Sequence, residues 1–167
     1  PHATDDRCVP ADTSWKCQFY VGSAGWTALM LWELYRYFGS RDILSEITYP
    51  MIRGALRVYE KLIDDTGGTT PHFYAPSPEY HPAGRSAWGR NPSFQLAILH
   101  SLIRAAIGCV KILKINEPRI KKWLSLRKKM PKASVSEKKI QIWEGLGLEI
   151  SHRHHSHLAG IYPFDIF

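Results

Sequence analysis

The chain has 167 residues, enough for one domain with a hydrophobic core, and its 44% hydrophobic and 22% charged residues are ordinary for a globular protein. The formal net charge is +7, but the excess is confined to residues 111–139, where eleven basic residues face two acids, which favours a solvated helix edge over a nucleic-acid site. No run approaches the roughly 20 apolar residues of a membrane helix, and the three cysteines lack metal-ligand spacing and argue against a complete disulfide framework.

The N-terminal third is predicted to contain a loop followed by a buried helix. Residues 1–20 lack periodicity and carry no signal-peptide pattern. Because the chain begins on Pro1 and ends at Phe167 directly after a structured-looking motif, we expect an excerpt from a longer protein. From Trp26 to Phe38 the pattern is helical and apolar on most sides, which predicts a well-buried helix that ends at Gly39.

A second helix and a long loop are predicted next. A helical turn over residues 41–47 leads to Pro50, which suits the first turn of a helix that runs to about Asp65. Residues 69–73 are expected to form a short extended segment. The following loop continues to Pro92, and loops of this length in compact domains are usually functional or disordered.

The C-terminal half predicts more helices and little strand. A third helix should span Ser93–Leu113, and a basic amphipathic fourth should run from Glu117 to Lys129. After a polar connector over residues 132–142, a short helix is expected over His155–Ile161. The chain is therefore predicted to be all-α, with antiparallel helices and long loops gathered at one end.

Glu79 is the first candidate for chemistry. It follows Pro76 and Pro78, which restrict its backbone, and Tyr80 and Trp88 lie nearby in the sequence. Partial desolvation by such neighbours would keep the carboxyl protonated, as a general acid requires. Composition alone favours the simpler alternative, a surface glutamate in a stiff loop.

A histidine cluster is the second candidate, because four of the eight histidines fall within residues 152–157. One interpretation is a metal site using His154 and His157, although no HExxH pattern occurs. In a second, Arg153 and His154 bind substrate hydroxyls. A third is a structural polar network in which His155 and Ser156 cap the helix that follows. We expect no metal and no cofactor.

Four ordered motifs resemble those of glycoside hydrolase family 95 and span nearly the whole chain. With the family patterns in parentheses, they are Gly22–Trp26 with Leu31–Tyr37 (GGAW…LWEHYR), Tyr49–Ala55 (YPxMKGAA), Pro76–Glu79 (SPSxSPE) and Ser151–Pro163 (HRHxSHLxGLYP).

The resemblance implies that residues 1–167 are one fragment of an (α/α)6 toroid whose relatives are inverting exo-α-L-fucosidases or α-L-galactosidases. Glu79 stands at the general-acid position of the family. Arg153 and His154 match sugar-binding positions, Tyr80 is expected to bind the substrate as well, and Trp26 would supply an apolar wall. The water-activating motifs, NxNxxMNYW and FQIDGN, are absent from this chain, so the fragment is expected to be inactive alone.

Two departures from the family pattern keep alternatives open. Asn91-Pro92-Ser93 replaces the usual TMD run, and the acidic segment before the histidine motif is shortened to Trp143–Glu149. The alternatives are an α-L-galactosidase and a non-catalytic carbohydrate-binding helical domain. Expected partners are a fucosylated oligosaccharide or glycan and the remainder of the parent catalytic domain, with no nucleic acid and no membrane. The resemblance also suggests a secreted or periplasmic protein.

Overall fold

Helices dominate the computed structural model, which describes residues 21–77, 88–149 and 154–167. The all-α prediction is confirmed. The helices are α1 (Gly22–Phe38), α2 (Arg41–Ile43), α3 (Tyr49–Asp64), α4 (Ser93–Leu113) and α5 (Ile120–Lys129), with a π-helical turn at Leu44–Thr48 and a 3-10 turn at Ser156–Leu158. Two antiparallel pairs complete the described elements: β1 (Tyr74–Pro76) with β2 (Trp88–Arg90), and β3 (Val135–Ser136) with β4 (Lys139–Ile140).

Helix α4 is the centre of the core and has the predicted bounds. Fourteen of its 21 residues are buried. By length and composition it could span a membrane, contrary to the sequence expectation, but most of it is buried inside the protein. A helix that packs against the rest of the protein on most sides is rich in apolar residues even where it has no contact with lipid.

Helices α1 and α4 run side by side in the same direction. Their contacts advance together, from Gly22 against Gln95 to Trp32 against Gly108. Helix α3 runs antiparallel to α4. Tyr59, near the C-terminal end of α3, donates a hydrogen bond at 2.6 Å to Oε1 of Gln95, which lies near the start of α4. The predicted antiparallel order of consecutive long helices is therefore present.

The prediction that α1 is well buried is wrong. Its start lies at Gly22, four residues before the predicted one, and Gly39 ends it in the left-handed conformation as predicted, with φ of 70°. However, Met30 is 62% exposed and Tyr37 is 85% exposed. Only Gly22, Gly25, Ala28 and Leu29 are buried, so the helix packs through a narrow strip. Trp26, Trp32 and Tyr35 contact the core but stay partly exposed.

Helix α3 follows α2 without a break, and its first turn contains Pro50 as predicted. Its inward face carries Ile52, Leu56 and Tyr59, which are completely buried. The extended segment predicted at residues 69–73 is wrong. The strand instead begins at Tyr74, where β2 supplies a pairing partner.

Helix α5 begins at Ile120 rather than at Glu117, and Glu117 has a different role. Its carboxylate accepts hydrogen bonds from Tyr49 at 2.5 Å and from Arg53 at 2.9 Å. Burial raises the pKa of Glu117, but these two donors and the Arg119 backbone N–H lower it more, so the pKa lies below its ordinary value. Glu60 of α3 likewise accepts from Trp123 of α5 at 2.6 Å. Helices α3 and α5 are thus joined through buried carboxylates.

Candidate functional site

The structure describes only some of the predicted site residues. Trp26 and His154 lie within the described residues, whereas Glu79, Tyr80 and Arg153 lie outside them. The long loops predicted to gather at one end of the helix array would bring Glu79 to the histidine cluster, and this stays a prediction.

Trp26 lies in the second turn of α1, and its indole ring is half-buried. The ring is held between two phenylalanines. Its centroid lies 5.7 Å from that of Phe94 at a tilted angle, and 5.0 Å from that of Phe164 in an edge-on arrangement of 73°. Such contacts fix the plane of an aromatic ring while leaving its free face available. The residue predicted as an apolar wall is therefore held rigidly.

The histidines that follow occupy different environments. His154 is half-buried, His155 is exposed and His157 is buried. The rings of His155 and His157 lie 6.3 Å apart at a tilted angle of 51°. In residues 21–77, 88–149 and 154–167, no group of three or more histidine, cysteine or acidic side chains is placed to hold a metal ion.

The helix predicted at His155–Ile161 is reduced to the 3-10 turn at Ser156–Leu158, and its expected cap is absent. His155 stands at the N-cap position but makes no side-chain capping hydrogen bond. The Ser156 hydroxyl is buried and has no hydrogen-bond partner among the described residues. A buried hydroxyl in this state is available to a polar group that enters from outside.

One open cavity, of about 1010 Å³, brings Trp26 together with His155 and Ser156 of the histidine cluster. Its walls combine aromatic rings with charged and polar groups, which is the combination that suits a sugar. The residues that line it include Trp26, Trp32, Glu33, Arg36, Arg104, His155, Ser156, Tyr162, Phe164 and Asp165. His154, a predicted sugar ligand, is not among the residues that line this cavity.

Two arginines bring charge to this cavity in different ways. Arg36 of α1 donates to both oxygens of the Glu33 carboxylate, at 3.0 and 2.9 Å, in an exposed ion pair. Arg104 of α4 donates instead to backbone carbonyls of the segment that follows the histidine cluster. The Arg36–Glu33 ion pair lies within one turn of α1, whereas the Arg104 hydrogen bonds join α4 to the C-terminal segment.

Strand β1 ends three residues before Glu79 in the sequence and is anchored to the core. Gln95 Nε2 donates to the Pro76 carbonyl at 3.4 Å, while Gln95 Oε1 accepts from Tyr59. Ser77, two residues before Glu79, is only 3% exposed. The backbone at Pro76 is therefore attached to Gln95 of α4, which is itself bonded to Tyr59 of α3.

Strand β2 is fixed from the other side by the connector. The Trp143 indole lies against Gly89 so closely that an added Cβ would come within 2.0 Å of the ring. Asn91, in a left-handed conformation with φ of 49°, donates from its side chain to Glu144 at 2.5 Å. Its side-chain oxygen accepts from the Phe73 backbone N–H at 3.1 Å.

Ser93 completes this attachment of the connector. Its hydroxyl donates to the Gln141 carbonyl at 2.6 Å and accepts from the Ser134 backbone N–H at 3.0 Å. The Asn91-Pro92-Ser93 departure from the family pattern thus has a structural consequence. Its two polar residues hold both ends of the connector against the start of α4.

Sequence reasoning missed Gln95 and Arg104. Gln95 stands in a helix whose neighbours are almost all apolar, and a lone polar residue there is a signal for a buried hydrogen-bonding role. Arg104 interrupts the apolar run of α4 and lies at its exposed edge. Nothing in the sequence pairs it with Phe164 and Asp165, because that contact depends on how the last segment folds back.

Comparison with known proteins adds a family and a relative. The sequence model of the glycosyl hydrolase family 95 catalytic domain matches residues 4–167. Alpha-L-fucosidase 2 of Arabidopsis thaliana is 27% identical over 147 residues, which cover 83% of this chain and 17% of that protein. The chain therefore spans less than a fifth of the length of this curated relative.

Proposed function

This chain belongs to glycosyl hydrolase family 95, and from that premise we propose that it forms part of the catalytic domain of an inverting exo-α-L-fucosidase. The substrate would be a fucosylated oligosaccharide or glycan. One observation carries the proposal: Trp26 lines the same cavity as His155 and Ser156, although these residues come from widely separated segments.

In the proposed reaction, different groups carry out proton transfer and nucleophilic attack. Glu79, as a protonated carboxyl, gives its proton to the glycosidic oxygen as the bond to the anomeric carbon breaks. An activated water attacks the opposite face of the sugar and inverts its configuration. The residues that activate this water belong to motifs outside this chain, so the remainder of the catalytic domain is a required partner. No metal or cofactor takes part in this scheme.

The binding roles follow from the chemistry of each side chain. Trp26 offers an aromatic face to the apolar side of the sugar ring, which is a favourable contact for a pyranose. Arg153 and His154 donate hydrogen bonds to sugar hydroxyls, and Tyr80, which follows the acid in the sequence, also binds the sugar. The anchoring of Pro76 by Gln95 supports the role of Glu79, because a general acid must be held within hydrogen-bond reach of the leaving oxygen.

The test replaces the acid in the full-length protein that carries this chain. Glu79→Gln should lower kcat/KM on an α-1,2-linked fucosyl oligosaccharide by about a thousandfold. On an aryl fucoside with an acidic phenol as the leaving group the loss should be much smaller, because that leaving group needs no proton. Glu46→Gln, at an exposed glutamate in the π-helical turn, is the matched control and should leave both activities unchanged.

Four outcomes would contradict parts of the proposal. Full activity of Glu79→Gln on the oligosaccharide would rule out the general-acid role. Release of the α anomer first, observed by proton NMR, would rule out inversion. Faster turnover of an α-L-galactoside would make the protein an α-L-galactosidase, since the two sugars differ only at the C5 substituent. Binding of fucosylated glycans without hydrolysis would identify a non-catalytic carbohydrate-binding domain.

A further inference from the structure

The segment that follows the histidine cluster folds back onto α4 in a tight arrangement. The Phe164 backbone N–H donates to the Ala159 carbonyl at 3.0 Å, and that of Ile166 to the Gly160 carbonyl at 2.9 Å. Asp165 between them adopts a left-handed conformation with φ of 43°, which aspartate tolerates better than most residues. The bend turns the ring of Phe164 inwards, where it is only 6% exposed.

Arg104 clamps this bend from α4. Its guanidinium donates from Nη2 to the Phe164 carbonyl at 2.5 Å and from Nη1 to the Asp165 carbonyl at 2.6 Å. Ser101, one turn earlier on the same helix, donates to the Phe164 carbonyl at 3.4 Å. Hydrogen bonds from a charged donor are the strong ones, and the planar guanidinium holds two neighbouring acceptors in a fixed geometry.

Phe164 connects this clamp to the cavity. Its ring meets Trp26 edge-on, with 5.0 Å between centroids. Phe94, the other ring beside Trp26, belongs to α4. Trp26 therefore lies between a ring that belongs to α4 and a ring whose backbone is hydrogen-bonded to α4, most closely by Arg104.

We propose that Arg104 is a positioning residue, which sets the orientation of Trp26 towards the sugar through the backbone and ring of Phe164. The sugar-binding consequence rests on the proposed function, whereas the orientation of Trp26 does not. Arg104 uses two of its five N–H donors on backbone carbonyls, and in this proposal its effect on binding is exerted through Trp26 rather than through a direct contact with the sugar.

A kinetic experiment on the full-length protein tests the consequence for binding. Arg104→Gln should raise KM for an α-L-fucoside by about fivefold, the effect expected when one aromatic contact is lost. Because Trp26 contacts the sugar in the ground state and in the transition state alike, kcat and the pH profile should stay unchanged. Arg57→Gln, at an exposed arginine of α3, is the matched control. A fall in kcat with constant KM would overturn the proposal.

A double-mutant cycle tests the route of the effect. Phe164→Leu keeps an apolar side chain and the Arg104 hydrogen bonds but removes the ring that meets Trp26. If the effect passes through this ring, the double variant should raise KM no further than the larger of the two single effects. Multiplicative effects on KM would overturn the proposal. Phe164→Leu also carries the kinetic test by itself if Arg104→Gln does not fold.

A measurement without substrate separates this proposal from the proposed function. The Trp26 contribution to acrylamide quenching is the difference between the parent protein and its Trp26→Phe variant. Arg104→Gln should increase that contribution about twofold, because a half-buried ring that loses an edge-on neighbour becomes more accessible. An unchanged contribution overturns the positioning role. A parent protein that turns over no fucoside contradicts the proposed function, while the quenching result still decides the role of Arg104.

Discussion

Helices α1 and α4 lie side by side and are both rich in apolar residues, yet the protein buries them differently. In α4, fourteen of 21 residues are buried, among them Leu99 and Leu102. In α1 only Gly22, Gly25, Ala28 and Leu29 are buried, while the large apolar residues on its other face are exposed. This difference shows that the apolar content of a helix does not by itself indicate how much of the helix is buried. The position of the small residues shows which face of a helix approaches its neighbour.

The largest effect expected from this comparison is that of a leucine deletion in each helix. Leu102 is completely buried, whereas Leu34 is 40% exposed. Leu102→Ala leaves a cavity and should lower the free energy of unfolding by about 3 kcal/mol. Leu34→Ala should lower it by less than about 0.5 kcal/mol. Urea unfolding followed by tryptophan fluorescence measures both, and equal losses would mean that the exposed face of α1 is covered in solution.

A smaller effect is expected at the glycine where the two helices touch. A Cβ on Gly25 would lie 2.5 Å from Ile98 Cγ2 and 3.2 Å from Leu102 Cδ1. Both neighbours are completely buried, so neither can swing aside. Gly25→Ala should therefore lower the free energy of unfolding by about 2 kcal/mol, through overpacking.

Gly54 of α3 is the matched control for that substitution. Nothing lies within 4 Å of its Cβ position. Gly54→Ala should therefore stabilise the protein by about 0.5 kcal/mol, since alanine loses less conformational freedom in a helix. If Gly25→Ala were also stabilising, α1 and α4 would be farther apart than the structure places them.

The smallest expected effect is the pH dependence of stability that arises from His100 in α4. His100 is 5% exposed and its Nε2 lies 2.9 Å from the Pro131 carbonyl oxygen. Burial lowers the pKa of His100 below its ordinary 6.5, and the Pro131 carbonyl offsets this only in part. Protons therefore bind the unfolded chain more readily. The stability that His100 contributes is present above pH 6.5 and is lost as the pH falls below that value.

The measurement is the urea midpoint as a function of pH. His100→Gln should reduce the loss of stability on acidification, because glutamine can still donate to the carbonyl but does not titrate. The control is His155→Gln at an exposed histidine near the cavity, which should leave the profile unchanged. A steeper loss in His100→Gln would mean that the histidine is charged in the folded protein.

The sequence predicts the long helices well because their signals are local. The 3.6-residue repeat of α4, Pro50 at the start of α3 and Gly39 at the end of α1 each specify a boundary without knowledge of the rest of the fold. The strand beginning at Tyr74 was misplaced because its pairing partner, Trp88–Arg90, is distant in the sequence. A short strand depends on its partner for its position.

The site was predictable only where a motif identified its members. The concentration of four histidines drew attention to the histidine cluster, resemblance to the family added Trp26, and the structure brings Trp26 together with His155 and Ser156. The pairing of Arg104 with Phe164 was not predictable. Its hydrogen bonds go to backbone carbonyls, which every residue possesses, so no side-chain pattern records them.

The contact between Gly89 and Trp143 has a consequence for how relatives of this chain diverge. An indole placed against bare backbone allows no side chain at position 89. A lineage that acquires a larger residue there must exchange the tryptophan for a smaller residue, and one that loses the tryptophan leaves position 89 free to vary. The two positions should therefore change together among homologous sequences, and shortening of the connector should be accompanied by substitutions at both.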